Sequence, residues 1–504
     1  MLTIRLHPSD NVVVALAEMS PGTAISEEGI VCRQHIPGGH KVAAAAIEQG
    51  EPIRKYGEII GFASHRIEPG EHVHTHNVVI IDFSRDVPVR DRPRRIGSVD
   101  PETQETFNGI VRPDGRVATR NYLGVLSTVN CSASVARRIA DSLGHEPLRE
   151  FSNVDGVVPL CHGGGCAMAE DGEGLAYLQR TMLGYARHPN FAGVLIIGLG
   201  CESNHIGSLL SNTGLETGPL LQAMSIQEMG GTSEAVRQGT VRLRDMLDVA
   251  NRVERHPVSV SELVIGLECG GSDAYSGLTA NPTLGIAMDL LIRRGGTAIL
   301  SETPEMYGAE HLLAQRAANR EIRERFLGLF PWWEDYAARS GGTLDNNPSP
   351  GNKAGGLSTI LEKSLGAVAK GGSTELMAVY RYGEPVTARG LVFMDTPGYD
   401  PVSITGMVAG GANLICFTTG RGSVFGCKPV PVIKLASNTA LYRQMQDDMD
   451  LDCGTVLEGE TTHDELGERI FRLILETASG RKTKSEAHGI GDDEFVPWHI
   501  GAVF

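Results

Sequence analysis

Three apolar runs of this chain each end in a glycine-rich loop that carries a cysteine. They read Gly-Val-Val-Pro-Leu-Cys-His-Gly-Gly-Gly-Cys at 156–166, Gly-Val-Leu-Ile-Ile-Gly-Leu-Gly-Cys-Glu at 193–202 and Glu-Leu-Val-Ile-Gly-Leu-Glu-Cys-Gly-Gly-Ser-Asp at 262–273. A short Val/Ile/Leu run bounded by glycines predicts a strand buried on both faces, as in parallel sheets covered by helices. Open α/β sheets bind ligands outside the carboxyl ends of their strands. Loops that recur there are expected to converge, bringing Cys166, Cys201 and Cys269 toward one pocket. Such a pocket reads as an enzyme site that holds a metal.

The rest of the chain places these runs in an α/β protein with a small all-β domain in front. At 504 residues the chain is too long for a single core. Residues 1–83 carry short runs, Asn11–Ala17, Gly57–Ala63 and Val73–Phe83, separated by glycine and proline turns, which predicts strands. Residues 84–106, rich in Pro, Arg and Asp, read as an extended linker. Beyond it, apolar strands alternate with amphipathic stretches. Helices are predicted over Ser132–Leu143, Glu173–Ala186, Glu234–Val253, Pro282–Arg294 and Ala309–Leu329, with Ser132 and Asn281 as N-caps. A boundary near Arg255–Ser261 divides this part into two α/β lobes, 107–257 and 258–504. The Pro/Ser/Gly-rich stretch from Asn346 to Gly356 fits neither period and is expected to be an active-site loop or a connector.

Charge and cysteine usage narrow the function. A formal charge of −16 argues against nucleic acid or an anionic membrane as partner. No apolar run approaches the ~18 residues of a membrane span, and the N-terminus lacks the apolar core of a signal peptide. Nine cysteines, an odd number, suit free thiols in a reducing compartment, so a cytoplasmic protein is expected.

Within this frame several groups carry chemistry. His72-Val73-His74-Thr75-His76-Asn77, read as a strand, would turn its three imidazoles to one face, able to bind a metal or a carboxylate. Cys131 adds a fourth thiol to Cys166, Cys201 and Cys269, and His162 and Glu202 add harder donors. The spacing is not Cys-x-x-Cys, which disfavours a zinc ribbon. Ligands from separate strand ends suit a catalytic site with an open position, and a Cys-rich shell suits iron, either as a single ion or as an iron–sulfur cluster. Lys353 and Arg421, on loops rich in amides and hydroxyls, can neutralise a carboxylate. Ser272, Asp273, Asn281 and Asn352 lie on adjoining loops as substrate contacts. Gly198-Leu199-Gly200-Cys201-Glu202-Ser203 lacks the third glycine of a dinucleotide fingerprint, which disfavours a nucleotide cofactor.

With these residues in view, the chain resembles the altronate/galactarate dehydratase family across nearly its whole length. The matching stretches are His35-Ile36-Pro37-Gly38-Gly39-His40-Lys41-Val42-Ala43, Ile196 through Glu202, Gly270-Gly271-Ser272-Asp273, Thr279-Ala280-Asn281-Pro282, Asn347 through Lys353 and Phe417 through Gly422. The resemblance implies an N-terminal SAF-like β-clip domain, an α/β catalytic region and dependence on a divalent metal, Fe²⁺ first and Mn²⁺ second. The His-x-His-x-His-Asn run looks like the altronate branch, and 35–43 like the galactarate branch. Relatives tend to carry Tyr-Gly-Cys where this chain has Gly164-Gly165-Cys166, and Ser423 through Lys428 also depart from them. The implied reaction removes water from a sugar acid, altronate first, to leave a 2-keto-3-deoxy acid; galactarate dehydration and a sulfolactate-cleaving activity are the alternatives. The expected roles are metal ligation by some of Cys131, His162, Cys166, Cys201 and Cys269, carboxylate binding by Lys353 and Arg421, and acid/base chemistry by His74 or His76. A homodimer is expected. A sugar-acid-binding protein without turnover is the contrasting class, and it would have no use for proton-transfer groups.

Overall fold

The computed structural model describes residues 2–81, 83 and 105–502; the expected linker therefore lies outside the described residues except for 105 and 106. The first domain is built from short antiparallel strands, each ended by a turn. One sheet runs Thr3–Ile4, Val12–Ala15, Lys41–Ala43, His72–Val73, and a second runs Pro52–Lys55, Glu58–Ala63, Val78–Val79. The predicted strand over Val73–Phe83 is instead two two-residue strands with a turn between them. Asn77 makes that turn: its Oδ1 accepts the His74 amide at 2.8 Å and its Nδ2 donates to the His72 carbonyl at 2.9 Å.

The middle part carries a four-stranded parallel sheet in the order Gly156–Leu160, Tyr122–Ser127, Phe191–Gly198, Leu221–Ser225. The last part carries a seven-stranded parallel sheet in the order Leu376–Tyr380, Gly390–Met394, Thr297–Leu300, Val264–Cys269, Leu414–Thr419, Val432–Ala436, Leu451–Asp452. The side-chain period of two decides what each face meets. Ile265, Leu267 and Cys269 join the core under helices Ala280–Arg293 and His463–Ala478. Glu268, on the other face, receives the Ser403 hydroxyl from helix Asp400–Ala409 at 2.8 Å. That helix shares a core with helix Glu173–Ala186 of the middle part. Among the described residues no helix is long and apolar enough to cross a membrane.

Local chemistry shifts some element ends. The helices predicted from Ser132 and Pro282 begin earlier, at Asn130 and Ala280, so Ser132 and Asn281 lie inside them and cap nothing. The predicted helix over Ala309–Leu329 is broken, with segments Glu310–Ala314, Arg320–Leu327 and Leu329–Arg339. Asn319 imposes one break, its side chain accepting the Ile322 amide at 2.9 Å as an N-cap. Within 346–356 a short helix, Pro350–Ala354, is held by a capping box between Ser349 and Asn352.

The first domain is fastened to the last by a buried charge triad. Lys41 and Lys55 place their ammonium groups 2.8 and 2.9 Å from the two oxygens of Glu362, with all three side chains essentially sealed from water. Burial opposes every one of these charges. The two lysines outweigh it for Glu362, whose carboxyl falls below its usual range, whereas Lys41 ends lowered to about 8. Replacing Glu362 with methionine leaves two ammonium groups facing each other without a counter-charge. The expected result is a loss of about 3–5 kcal/mol in urea unfolding, recovered in large part when Lys41 and Lys55 are also made methionine.

Candidate active site

The central strand Val264–Cys269 is where the seven-stranded sheet changes direction. The chain steps from it to Thr297–Leu300 on one side and later returns to Leu414–Thr419 on the other. A crevice at such a point is open to ligand because the loops on either side lead away from each other. Three strand ends supply acidic or thiol groups here: Glu268 and Cys269, Glu302 and Glu305, and Asp400. The Cys269 thiol lies 3.6 Å from Glu302 Oε2 and 3.5 Å from Glu305 Oε2. Carboxylate oxygens of Glu268, Glu302 and Asp400 lie within 4.8 Å of one another. Two buried lysines face them: Lys370 pairs with Glu302, and Lys363 reaches Glu305 at 2.7 Å and Asn347 Oδ1 at 2.8 Å.

The backbone is bent to make this arrangement. Glu302 has φ of 64°, a left-handed conformation rare for a residue with a side chain. It is held by its amide on Thr396 Oγ1 at 2.9 Å and by its carboxylate on Lys370. Gly270 lies so close to Asp400 that a Cβ there would overlap the carboxylate, so glycine is what lets the strand end meet the helix start.

Four carboxyl groups against two ammonium groups cannot all be ionised in a dry site. Burial, then repulsion from Glu302 and Asp400, holds Glu268 neutral. Burial, then Glu302, likewise holds Cys269 as a thiol. Burial opposes the charge on Lys363 and Lys370, but the acidic groups around them outweigh it and keep both charged. Asp400 is pushed up to about 7, by burial first and then by Glu302 and Glu305. Unlike Glu268 and Glu302 it is only half-buried, so it can exchange a proton with a ligand. The cluster reads as proton-handling machinery. Two ammonium groups already occupy it, which disfavours adding a metal cation.

The imidazoles form a different kind of group. Pairing of Lys41–Ala43 with His72–Val73 sets His40 beside His72, and the Asn77 turn folds His74 back onto both. His40 Nδ1 lies 2.9 Å from His72 Nε2, and the three residues offer nitrogens within 4.8 Å of one another. The other His40 nitrogen faces the Ala354 carbonyl at 3.3 Å, which fixes the tautomer that leaves Nδ1 with a lone pair. His74 Nδ1 is buried and has no partner among the described residues. Burial, followed by the neighbouring imidazoles or Lys41, lowers His72 to about 3 and His74 to about 4, so both stay neutral near pH 7. Three neutral imidazoles around an unsatisfied nitrogen fit a borderline transition metal such as Fe²⁺ or Mn²⁺.

One segment links the two groups: Asn347 contacts Lys363 and Glu305, and Ala354 contacts His40. Lys353, half-buried, and Arg421, exposed, lie at this junction, and among the described residues neither enters an ion pair. Of the other expected substrate contacts, Asp273 is used up by Ser276, Ser437 and Asn438. Asn281 bridges Gly366 and Thr418, and Asn352 holds the Ser272 carbonyl and caps its own helix. The atoms of these three residues named here hold the loops together. Ser272 keeps an unpartnered hydroxyl. His76 is exposed beside the trio, its ring 5.3 Å from that of His72.

The expected thiol shell is not assembled around Cys269. Cys131, His162, Cys166 and Cys201 belong to the end of the four-stranded sheet, and among the described residues none of them joins a three-donor group with Cys269. His162 has both nitrogens engaged, with the Ser127 carbonyl at 2.9 Å and the Gly164 amide at 3.2 Å, so it has no lone pair to give. Residues the sequence reading passed over include His40, although it stands in the His35–Ala43 stretch, and Glu302, Glu305, Lys363, Lys370 and Asp400. For Glu302 the available signal was its place in Ser-Glu-Thr-Pro directly after the strand Thr297–Leu300.

Three family models cover most of the chain: the altronate/galactarate dehydratase SAF domain over residues 1–80, the second domain of D-galactarate dehydratase/altronate hydrolase over 109–251, and the D-galactarate/altronate dehydratase C-terminal domain over 260–503. The chain is 38% identical to galactarate dehydratase (L-threo-forming) of Escherichia coli, covering 97% of this chain and 95% of that protein. It is 35% identical to altronate dehydratase of Bacillus subtilis over 96% of each. It is 34% identical to the β subunit of (2R)-sulfolactate sulfo-lyase of Chromohalobacter salexigens, over 78% of this chain and 96% of that one. A SAF domain, a parallel-sheet catalytic region and full-length similarity to two dehydratases converge: the chain belongs to the altronate/galactarate dehydratase family and is a carbon–oxygen lyase, a hydro-lyase.

Proposed function

We propose that this enzyme removes water from a sugar acid, altronate first, to give a 2-keto-3-deoxy acid, with a divalent metal, Fe²⁺ or Mn²⁺, held by His40, His72 and His74. The observation that carries the proposal is the pairing of a neutral imidazole trio with a proton-handling acid cluster, joined by the 347–356 segment. Taking the proton from C2 of a hydroxy acid puts negative charge on its carboxylate, and that charge needs a nearby cation. A divalent cation at the trio supplies Lewis-acid stabilisation of this charge, contributing several kcal/mol. Lys353 and Arg421 orient the acid by its carboxylate. Asp400, close to half-ionised near neutrality, takes the C2 proton, and His76 protonates the departing hydroxyl.

Two unpaired cations also suit a substrate with a carboxylate at each end, which makes galactarate the second reading. Metal-loaded enzyme assayed with altronate, galactarate, related sugar acids and sulfolactate, with 2-keto acid detected as the semicarbazone, tests both. Turnover is expected on altronate. A preference for galactarate moves the assignment to the diacid, and no keto acid from any sugar acid overturns it.

A further inference from the structure

Of the nine free cysteines three are exposed, and all three follow strands at one end of one sheet, Cys131 in the first turn of a helix and Cys166 and Cys201 on loops. The four-stranded sheet has its own change of direction at Tyr122–Ser127, flanked by Gly156–Leu160 and Phe191–Gly198. Each of these three strands is followed by one of the three thiols.

The loops are built against one another. The Asn130 amide donates to the Gly164 carbonyl at 3.1 Å, the Asn204 amide to the Gly165 carbonyl at 2.9 Å, and Asn204 Nδ2 to the Thr128 carbonyl at 2.9 Å. The residue before two of the cysteines is a glycine in the left-handed region, Gly165 at φ +101° and Gly200 at φ +126°. A Cβ on Gly165 would overlap the Thr128 carbonyl, so the close approach of these loops requires glycine. Glu202 clamps the third loop: Oε2 accepts the Gly200 and Cys201 amides at 2.7 and 2.9 Å, and Oε1 accepts Thr128 Oγ1 at 2.5 Å. With Glu202 and His162 spent on positioning, the donors left at this point are the thiols.

Their spacing favours a cluster over a single ion. A tetrahedral ion with metal–sulfur bonds of about 2.3 Å needs sulfurs about 3.8 Å apart. Among the described residues no three donors within 4.8 Å of one another include these cysteines. Two loops and a helix start offering sulfur alone suit an iron–sulfur cluster. Cys131 stands in the first turn of helix Asn130–Asp141, which has no acidic residue there and no side-chain cap, so its positive end is available to an anionic centre.

We infer that Cys131, Cys166 and Cys201 bind a four-iron, four-sulfide cluster through three thiolates, leaving one iron without a protein ligand, at a site separate from the imidazole trio. The inference is independent of the substrate and metal proposed above. The full-length protein, reconstituted anaerobically with ferrous iron and sulfide, is expected to hold roughly four iron and four acid-labile sulfide per chain and to give an electron paramagnetic resonance signal on reduction. The combined variant Cys131→Ser, Cys166→Ser, Cys201→Ser should lose the sulfide and the signal while keeping its circular dichroism. Cys161→Ser and the combined variant His40→Ala, His74→Ala should keep both. Absence of labile sulfide in folded wild-type protein, its persistence in the triple variant, or its loss in Cys161→Ser overturns the assignment. So does capture of one zinc ion by these thiols in preference to the cluster.

Discussion

Asparagine in place of Asp400 lowers kcat by about a hundred- to ten-thousandfold, the usual contribution of a positioned acid or base. The substitution is nearly isosteric, so it removes the titratable proton and leaves the shape of the crevice. The two functions of the group then separate by pH. Asp400 holds its proton up to about 7 in the folded protein, against an ordinary value of 3.8. A carboxyl with a raised folded-state pKa contributes stability that is complete below 3.8 and is lost as pH rises through about 7. Wild-type protein should therefore lose stability over that window faster than Asp400→Asn, and the variant should melt higher at pH 8 relative to wild type than it does at pH 5. In the rate profile, the rising limb of kcat/KM near pH 7 should be present in wild type and absent from the residual activity of the variant. A variant with wild-type kcat, or one whose profile keeps the limb, removes Asp400 from the proton-transfer role.

The parts of this molecule legible in its sequence are those set by local pattern. The Val264–Cys269 strand could be read because both its faces are covered, which favours a mostly apolar run, and its loop could be read because Gly270 and Gly271 are what a close approach and a φ of +62° require. The helix Glu173–Ala186 follows from its apolar period. The imidazole trio was only half legible. Alternation in His-x-His-x-His predicts a shared face in a strand, and the rings do gather, but through a turn closed by Asn77 and with His40 brought in by strand pairing from 32 residues earlier in the chain. The acid cluster was less legible still. Glutamate and lysine are normally solvated, and the position of Glu302 just after a strand does not by itself say that it is buried, unlike Glu324, which forms an exposed pair with Arg320. Only the topology of the sheet, which lays Glu302 beside Lys370 and Cys269, makes it a buried functional group. The expectation that the three cysteine loops converge failed for a related reason: similar strand–loop units recur in two different sheets, so each set gathers at its own switch point.

Alanine at both His40 and His72 should abolish binding of Mn²⁺ and with it turnover. A metal held by three imidazoles loses two of its protein ligands in this variant, and changes even to the partners of ligands cost about 10- to 100-fold in affinity. The variant is expected to weaken Mn²⁺ binding by at least that factor in isothermal titration calorimetry, and added metal should not restore keto-acid formation. The pH dependence of binding in the wild type tests the same site without a substitution. Metal must displace any proton on its ligands, so an ordinary imidazole site weakens steeply below about pH 6.5. His72 and His74 are lowered to about 3 and 4, chiefly by burial and then by neighbouring imidazoles and Lys41, and a proton competes with the metal only well below neutrality. Affinity should therefore stay nearly level from pH 8 down to about 5.5, subject to His40, which burial also lowers. Unchanged Mn²⁺ affinity in the double variant, or a tenfold loss for each pH unit below 6.5 in the wild type, places the metal elsewhere and leaves the trio as packing between the first domain and the last.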